Sequence, residues 1–264
     1  MDLGIHGKIA IVAGGSAGMG KGSALALAEE GVEVFLSARG EDRLVAAAQE
    51  ITDRTGTKVT PIVADHSTEQ GREALISACP EPDIMVVTIS PPKPVFDYNA
   101  ISVEDWRDSV ETGLIGPVEL MRHFSAGMAE RGWGRIVNIG TIAAKYPLDM
   151  RLLSGPARSA LINYAAVVSR QVAQRGVVIN NVLPGMIATE GLFEILSAGA
   201  KAEGLDREEQ GLAEELLKIF DIPTRCLGEA DDVGKVVAML CSQAASFIVG
   251  QSIVVDGGMA RGMF

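Results

Sequence analysis

Ala-Gly-Gly-Ser-Ala-Gly-Met-Gly, residues 13–20, stands between a short apolar run at residues 8–13 and a helical pattern from Met19 to about Glu30. Glycines let a backbone turn tightly and approach a pyrophosphate, and the helix that follows presents free N–H groups and the positive end of its dipole. Gly14, Ser16, Gly18, Met19 and Gly20 are therefore candidate phosphate-binding residues. Strand, glycine turn and helix in that order make the first βα unit of a dinucleotide-binding sheet.

Outward from this turn, strand and helix patterns alternate. Residues 33–37, 58–63, 84–87, 135–139 and 177–182 read as strands. Helical patterns occupy residues 41–55, 68–78, 103–131 and 156–174. Such alternation implies right-handed crossovers and an α/β fold, a Rossmann-like doubly wound parallel sheet flanked by helices. No linker or internal repeat divides the chain, so residues 1–264 are expected to form a single domain. Residues 190–221 break the rhythm: they are acidic, with Leu192, Phe193, Ile195 and Leu196 and then Leu212, Leu216, Leu217, Ile219 and Phe220 at helical spacing. Amphipathic helices forming a substrate lid are expected there.

Composition agrees with that architecture and narrows the function. Apolar residues make up 47% of the chain and aromatics only 5%, as suits a buried parallel sheet. A net charge of −11 argues against a nucleic-acid partner, which needs clustered Lys and Arg. Cys79, Cys226 and Cys241 are far apart, which points away from a disulfide framework or a metal site and towards a reducing cytoplasm. Neither a signal segment nor an apolar run of membrane-spanning length is seen, so a soluble protein without a membrane partner is expected.

Gly14, Gly18 and Gly20 also match the Thr-Gly-x-x-x-Gly-x-Gly spacing of the short-chain dehydrogenase/reductase family, with Ala13 in place of Thr. Gly134-Arg-Ile-Val-Asn-Ile-Gly-Thr141 is similar to that family's fifth strand, and Asn180-Asn-Val-Leu-Pro-Gly-Met-Ile-Ala-Thr189 to its Pro-Gly segment. The stretch from Ile222-Pro223 to Val254-Val-Asp-Gly-Gly258 is similar to its C-terminal pattern. The chain resembles the family nearly end to end. The resemblance implies an NAD(P)(H)-dependent oxidoreductase interconverting a carbonyl and an alcohol on a small or medium organic substrate. It implies adenine contact at Asp65 and at the neighbouring His66, contact at Ser90 after the fourth strand, and nicotinamide contact along Pro184, Gly185, Ile187 and Thr189. A homo-oligomer, tetramer or dimer, is implied as well, with the long central helices and the C-terminal segment at its interfaces.

Cofactor preference is read at the end of the second strand. NAD-using members carry an acid there for the ribose hydroxyls. This chain has Ser37-Ala38-Arg39, and a guanidinium can fork onto a 2′-phosphate. NADP(H) is favoured and NAD(H) stays possible, since Arg39 has a solvated turn residue as its alternative reading and Ala17 lacks the basic side chain common in NADP-using glycine loops.

The family's catalytic Ser, Tyr, Lys and Asn fall, by motif spacing, on Thr141, Ser154, Arg158 and Gly113, and the Asn-Asn-Ala-Gly that ends its fourth strand is Val87-Thr-Ile-Ser90 here. The resemblance is to a divergent group with Ser-x-x-x-Arg in place of Tyr-x-x-x-Lys. Thr141 keeps a hydroxyl able to donate to a carbonyl. Ser154 is a far weaker acid than a phenol, whose reference pKa is about 10. Arg158 stabilises an anion but does not pass a proton. Ser154 can alternatively cap the following helix, and Arg158 can be an ion-pair partner or a ribose-binding cation. Among the tyrosines, Tyr164 lies ~15 Å along the helix from Ser154 and reads as packing. Tyr98 follows the Pro-rich loop, and Tyr146 beside Lys145 is the better donor candidate, with a plain loop role as its alternative. Two other functions remain open: a nucleotide-binding sensor or structural protein without hydride transfer, and a non-redox lyase or isomerase.

Overall fold

Alternate side chains on each strand point to opposite faces of a sheet, and here both faces are apolar. A computed structural model describes residues 2–90, 92, 94–202 and 208–262. Seven parallel strands, β1 (Ile9–Ala13), β2 (Glu33–Ala38), β3 (Val59–Val63), β4 (Ile84–Thr88), β5 (Gly134–Ile139), β6 (Val177–Pro184) and β7 (Ser252–Val255), are ordered β3-β2-β1-β4-β5-β6-β7. Ala10, Val12, Val34, Leu36, Val86 and Val137 face a core closed by α1 (Gly18–Glu29), α2 (Glu41–Thr55) and α9 (Ala230–Cys241). Ile11, Ala13, Met85, Val87 and Ile136 face a second core under α3 (Glu69–Ala78), α5 (Gly116–Arg131) and α6 (Ser154–Val172). The expected doubly wound parallel sheet is the fold observed. Strand order reverses between β1 and β4, and in such sheets the ligand crevice opens beyond the strand ends at that point.

Two expectations about helices are corrected. The helix expected over residues 103–131 is interrupted: α4 (Val103–Val110) passes into a π-turn, Glu111–Ile115, before α5 begins. Gly113 lies in that turn, and a Cβ there would sit 3.0 Å from the Ala157 Cβ. The bare backbone thus lets the turn lie against α6. The helix expected from Pro156 begins two residues earlier, at Ser154, and runs to Val172.

The stretch expected to form amphipathic helices holds α7 (Glu190–Ala202) and α8 (Glu209–Phe220). Leu212 and Leu216 are buried, as their spacing required. Residues 203–207 of this stretch, Pro91 and Lys93 of the Pro-rich loop, and residues 263–264 of the tail lie outside the described residues.

Candidate active site

A cleft of about 1110 Å³ runs along the strand ends, lined among others by Gly14, Ser16, Arg39, Asp65, Ser90 and Arg158. At its nucleotide end the glycine loop is pinned to β2, with the Gly14 and Gly15 N–H groups donating to the Ser37 carbonyl at 2.9 and 2.8 Å. A Cβ on Gly20 would stand 2.2 Å from the Gly14 carbonyl oxygen and 2.5 Å from Thr88 Cγ2. Only a residue without a side chain lets α1 start this close beneath the turn. The helix therefore aims its free N–H groups along the loop, as a phosphate requires.

Asp65 accepts from the Ser67 N–H at 3.0 Å and its hydroxyl at 2.7 Å, both on Oδ1. Burial would raise its carboxyl, but these bonds and the nearby Arg39 charge outweigh that and hold it below the ordinary carboxylate range. His66, expected to stack or hydrogen-bond at the adenine, is buried with Nε2 unpartnered. Burial, aided by the Arg39 and Arg72 charges against the pull of Asp65, pushes its pKa down, so the imidazole is neutral. Arg39 is exposed on the cleft and, among the described residues, makes no ion pair. Arg43, one helical turn on, pairs with Glu190 of α7 at 3.4 Å, while Gly191 and Glu194 also line the cleft. Arg43 escaped the sequence reading, though its i, i+4 spacing from Arg39 was a signal.

The other end is built around Arg158. Its side chain is buried, donating through Nη1 to Ser154 Oγ and through Nη2 to the Ile89 carbonyl at 2.9 Å, while Nε has no partner. Two departures noted in the sequence, the altered end of β4 and the arginine, thus meet in one hydrogen bond. Burial, and then the charge of Arg151, lower the Arg158 pKa to about 10, which still leaves it cationic at neutral pH. The alternative reading of Ser154 as the cap of α6 is overturned. Leu153 occupies the cap position without a side-chain bond, and Ser154 is already in the helix with its hydroxyl turned to Arg158. Ser109, from α4, donates to the Leu153 carbonyl at 3.0 Å and fixes the entry to the helix.

The remaining candidates are distributed around this axis. Thr141, outside the cleft lining, precedes a short turn, Ile142–Ala144, and accepts from the Ala143 N–H at 3.3 Å, so its own O–H stays available to donate. Tyr146 is outside the cleft lining and lies under the tail: a Cβ on Gly262 would come 2.7 Å from its hydroxyl. Tyr98 is exposed and Tyr164 packs on the second core. Met19 packs its side chain on the first core, so only its backbone is offered to a phosphate. Gly18, at φ +53°, brings the glycine loop to Thr189, whose Cγ2 would be 3.2 Å from an added Cβ. Pro184 ends β6, the Gly185 N–H donates to the Val255 carbonyl at 2.9 Å, and Ile187 bridges to Gly228. Arg151 is not itself on the cleft lining, but it bridges to Val95, which is, a pairing that no local pattern announces.

The family profile described as enoyl-(acyl carrier protein) reductase matches residues 13–260. The chain is 28% identical over 268 residues to an uncharacterized oxidoreductase, YvaG, of Bacillus subtilis, with all of both chains covered. It is 27% identical over 263 residues to 3-oxoacyl-[acyl-carrier-protein] reductase FabG of Aquifex aeolicus, covering 98% of this chain and 100% of that one. Among solved structures, L-sorbose reductase from Gluconobacter frateurii, complexed with NADPH and L-sorbose, superposes over 100% of both chains with a TM-score of 0.92 at 27% identity. Glycine loop, sheet order and end-to-end match agree: the chain belongs to the short-chain dehydrogenase/reductase family and is an oxidoreductase of that type.

Proposed function

We propose that the protein is an NADP(H)-dependent reductase or dehydrogenase interconverting a carbonyl and an alcohol on a small or medium substrate, through a proton-handling site that differs from the family's. The observation that carries it is the single cleft joining an unpaired Arg39 at the nucleotide end to a buried Arg158 at the other. The residues present fit the cofactor. The cradle at Gly14 and Gly20 would be filled by any Cβ, His66 keeps an unpartnered nitrogen, and Arg39 replaces the acid that would repel a 2′-phosphate. NADPH in the sorbose reductase complex supports the same choice.

The bound dinucleotide would supply or accept the hydride. The chain's own part is to hold the reacting oxygen and meet its charge. Thr141 donates its free O–H to that oxygen, and Arg158, desolvated and oriented by Ser154 and the Ile89 carbonyl, stabilises negative charge nearby. Ser154 acts through Arg158 as a positioning residue, and the transferred proton comes from water at the cleft. The carbonyl-reducing relatives support this direction of chemistry. The test is nicotinamide absorbance with NADPH and with NADH across a panel of ketones and aldehydes. Turnover preferring NADPH is expected, and no turnover with either cofactor would count against it.

A specific observation favours one alternative, a nucleotide-binding protein without hydride transfer. The Ser154 hydroxyl is taken up by Arg158, and Gly113 is used for packing against Ala157 rather than for a relay. Tight NADPH binding without turnover on any carbonyl would select it.

We also propose that the chain acts as one domain, with residues 190–221 as the lid, supported by the Arg43–Glu190 pair between α2 and α7. A cytoplasmic homo-oligomer is the proposed state. The free cysteines and the exposed apolar side chains of Val103, Trp106, Ile115 and Val167 support it. Among the described residues no helix is long and apolar enough to cross a membrane, and no cluster of side chains is arranged to hold a metal ion.

A further inference from the structure

Arg39 precedes α2 and Arg43 lies in its first turn, and both line the nucleotide end of the cleft together with Ala38 and Gly40. Glu41 and Asp42, between them in sequence, are not on that lining. The cleft thus meets two guanidiniums from this segment and no carboxylate. Their pairing differs. Arg39 makes no ion pair among the described residues, whereas Arg43 Nη2 is 3.4 Å from Oε2 of Glu190, the first residue of α7. That pair is open to solvent, with side chains 55% and 63% exposed, and such a pair shifts an equilibrium by about fivefold or less. A phosphate monoester is a stronger competitor for the same guanidinium. It carries a charge of about −1.5 to −2 near neutral pH and offers three acceptor oxygens to the fork. Glu190 also stands where losing its partner matters. Thr189 before it touches the glycine loop, its Cγ2 being 3.2 Å from a Cβ on Gly18, and its hydroxyl and carbonyl accept from the Leu192 N–H at 3.2 and 2.9 Å. The first turn of α7 is therefore anchored beside the glycine loop at Thr189 and tied to α2 through Glu190.

We infer that the 2′-phosphate of NADP(H) takes Arg43 from Glu190, so that Arg43 is a second determinant of cofactor choice and the bound phosphate unties the first turn of α7 from α2. Arg39 and Arg43 then share one dianion. Glu190 is exposed, so its released carboxylate is solvated at little cost. Glu194, one turn further along α7, lines the cleft and adds a second negative charge on the side that the phosphate releases. NAD(H) carries a hydroxyl in place of the phosphate, and a neutral hydroxyl does not displace a carboxylate from a guanidinium, so with NAD(H) the tie persists. The two cofactors thus differ both in affinity and in the freedom they leave to the start of α7. This exchange rests on the NADP(H) use proposed above, but it is testable without turnover.

Calorimetric titration of the full chain with NADP+ and with NAD+ reads the exchange. Arg43→Ala is expected to weaken NADP+ about five- to tenfold and to leave NAD+ within about twofold, and Arg43→Lys, which keeps the charge but not the fork, to recover part of the loss. Glu190→Gln is expected to tighten NADP+ about two- to fivefold, because the competitor is gone, and to leave NAD+ unchanged. Added to Arg43→Ala, the same change should do nothing. No tightening in Glu190→Gln, or tightening that survives in the double variant, would overturn the exchange. Equal weakening of NADP+ and NAD+ in Arg43→Ala would make Arg43 merely structural and overturn it too. Hydrogen exchange over residues 189–194, compared at saturating NADP+ and NAD+, reads the tie to α2. Faster exchange with NADP+ is expected, and equal or slower exchange would overturn the release. A parent chain without preference for NADP+ would sink the NADP(H) choice itself, and the exchange with it. Absence of carbonyl turnover while these binding results hold would sink the reductase proposal and keep the exchange.

Discussion

At the nucleotide end of the cleft the chain withholds side chains, and at the other end it buries charged ones. Gly14 and Gly20 leave backbone bare where a single methyl would collide with a carbonyl 2.2 to 2.5 Å away, so function there depends on shape. Arg158 is inside the protein with an unpartnered Nε, and burial together with the charge of Arg151 lowers its pKa to about 10. A shaped loop belongs to any dinucleotide and says little about the reaction. A buried charge carries a stability cost, and such groups cluster at functional sites.

Changes made at the two ends should therefore fail in different ways. The largest effect is expected at the shaped end. In Gly20→Ala the new methyl meets backbone that cannot step aside, and NADPH affinity should drop about 100-fold or more, with a loss of about 2–4 kcal/mol in unfolding free energy. Fluorescence titration and denaturant melts measure both. A variant that still binds NADPH within about threefold of the parent would show that the loop relaxes more easily than its contacts imply.

At the charged end, activity and stability should part company. Arg158→Met is expected to lower kcat/KM by about 100-fold, because charge stabilisation at the reacting oxygen is lost. The same change should raise unfolding free energy by about 1–2 kcal/mol, because a buried charge without a counter-ion is replaced by an apolar chain of similar length. A stability loss instead would mean that the bonds to Ser154 and Ile89 outweigh the desolvation cost. A smaller effect is expected for Arg39→Ala, where the preference for NADPH over NADH should fall about 10- to 30-fold with little change in the NADH reaction. Paired kcat/KM values decide it.

The smallest effect concerns pH. His66 has a pKa below its ordinary value of 6.5, so the unfolded chain takes up a proton that the folded chain refuses. Its stabilising contribution is complete above 6.5 and declines as pH falls below it. The Asp65 carboxyl, also lowered, adds to the loss only below its ordinary 3.8. Denaturant melts between pH 8 and pH 5 should show the His66 part, and His66→Gln should flatten it.

The sequence made the sheet, the glycine loop and the acid-free end of β2 readable, because each rests on local chemistry: period-two apolar strands, a backbone turn that tolerates no Cβ, and one guanidinium where an acid would repel phosphate. It also singled out Ser154 and Arg158 by spacing, and the two share a hydrogen bond in one helix. Its errors share a cause. Ser154 looked like a cap because Ser-Gly-Pro starts helices well, yet the helix begins one step earlier and the hydroxyl serves Arg158. Residues 103–131 looked continuous because a π-turn changes no residue type, and its reason, the approach of Gly113 to Ala157, lies on another helix.

By itself, then, the chain determined the sheet and the glycine loop at its nucleotide end. Only the tertiary structure decided what surrounds Ser154 and Arg158. Arg151 bridges to Val95, the Ile89 carbonyl just past β4 accepts from Arg158 of α6, and Tyr146 is covered by the tail. Local motifs are set by backbone geometry within a few residues. Burial of a charge and the absence of its partner are properties of everything that packs around it, and no stretch of sequence holds them.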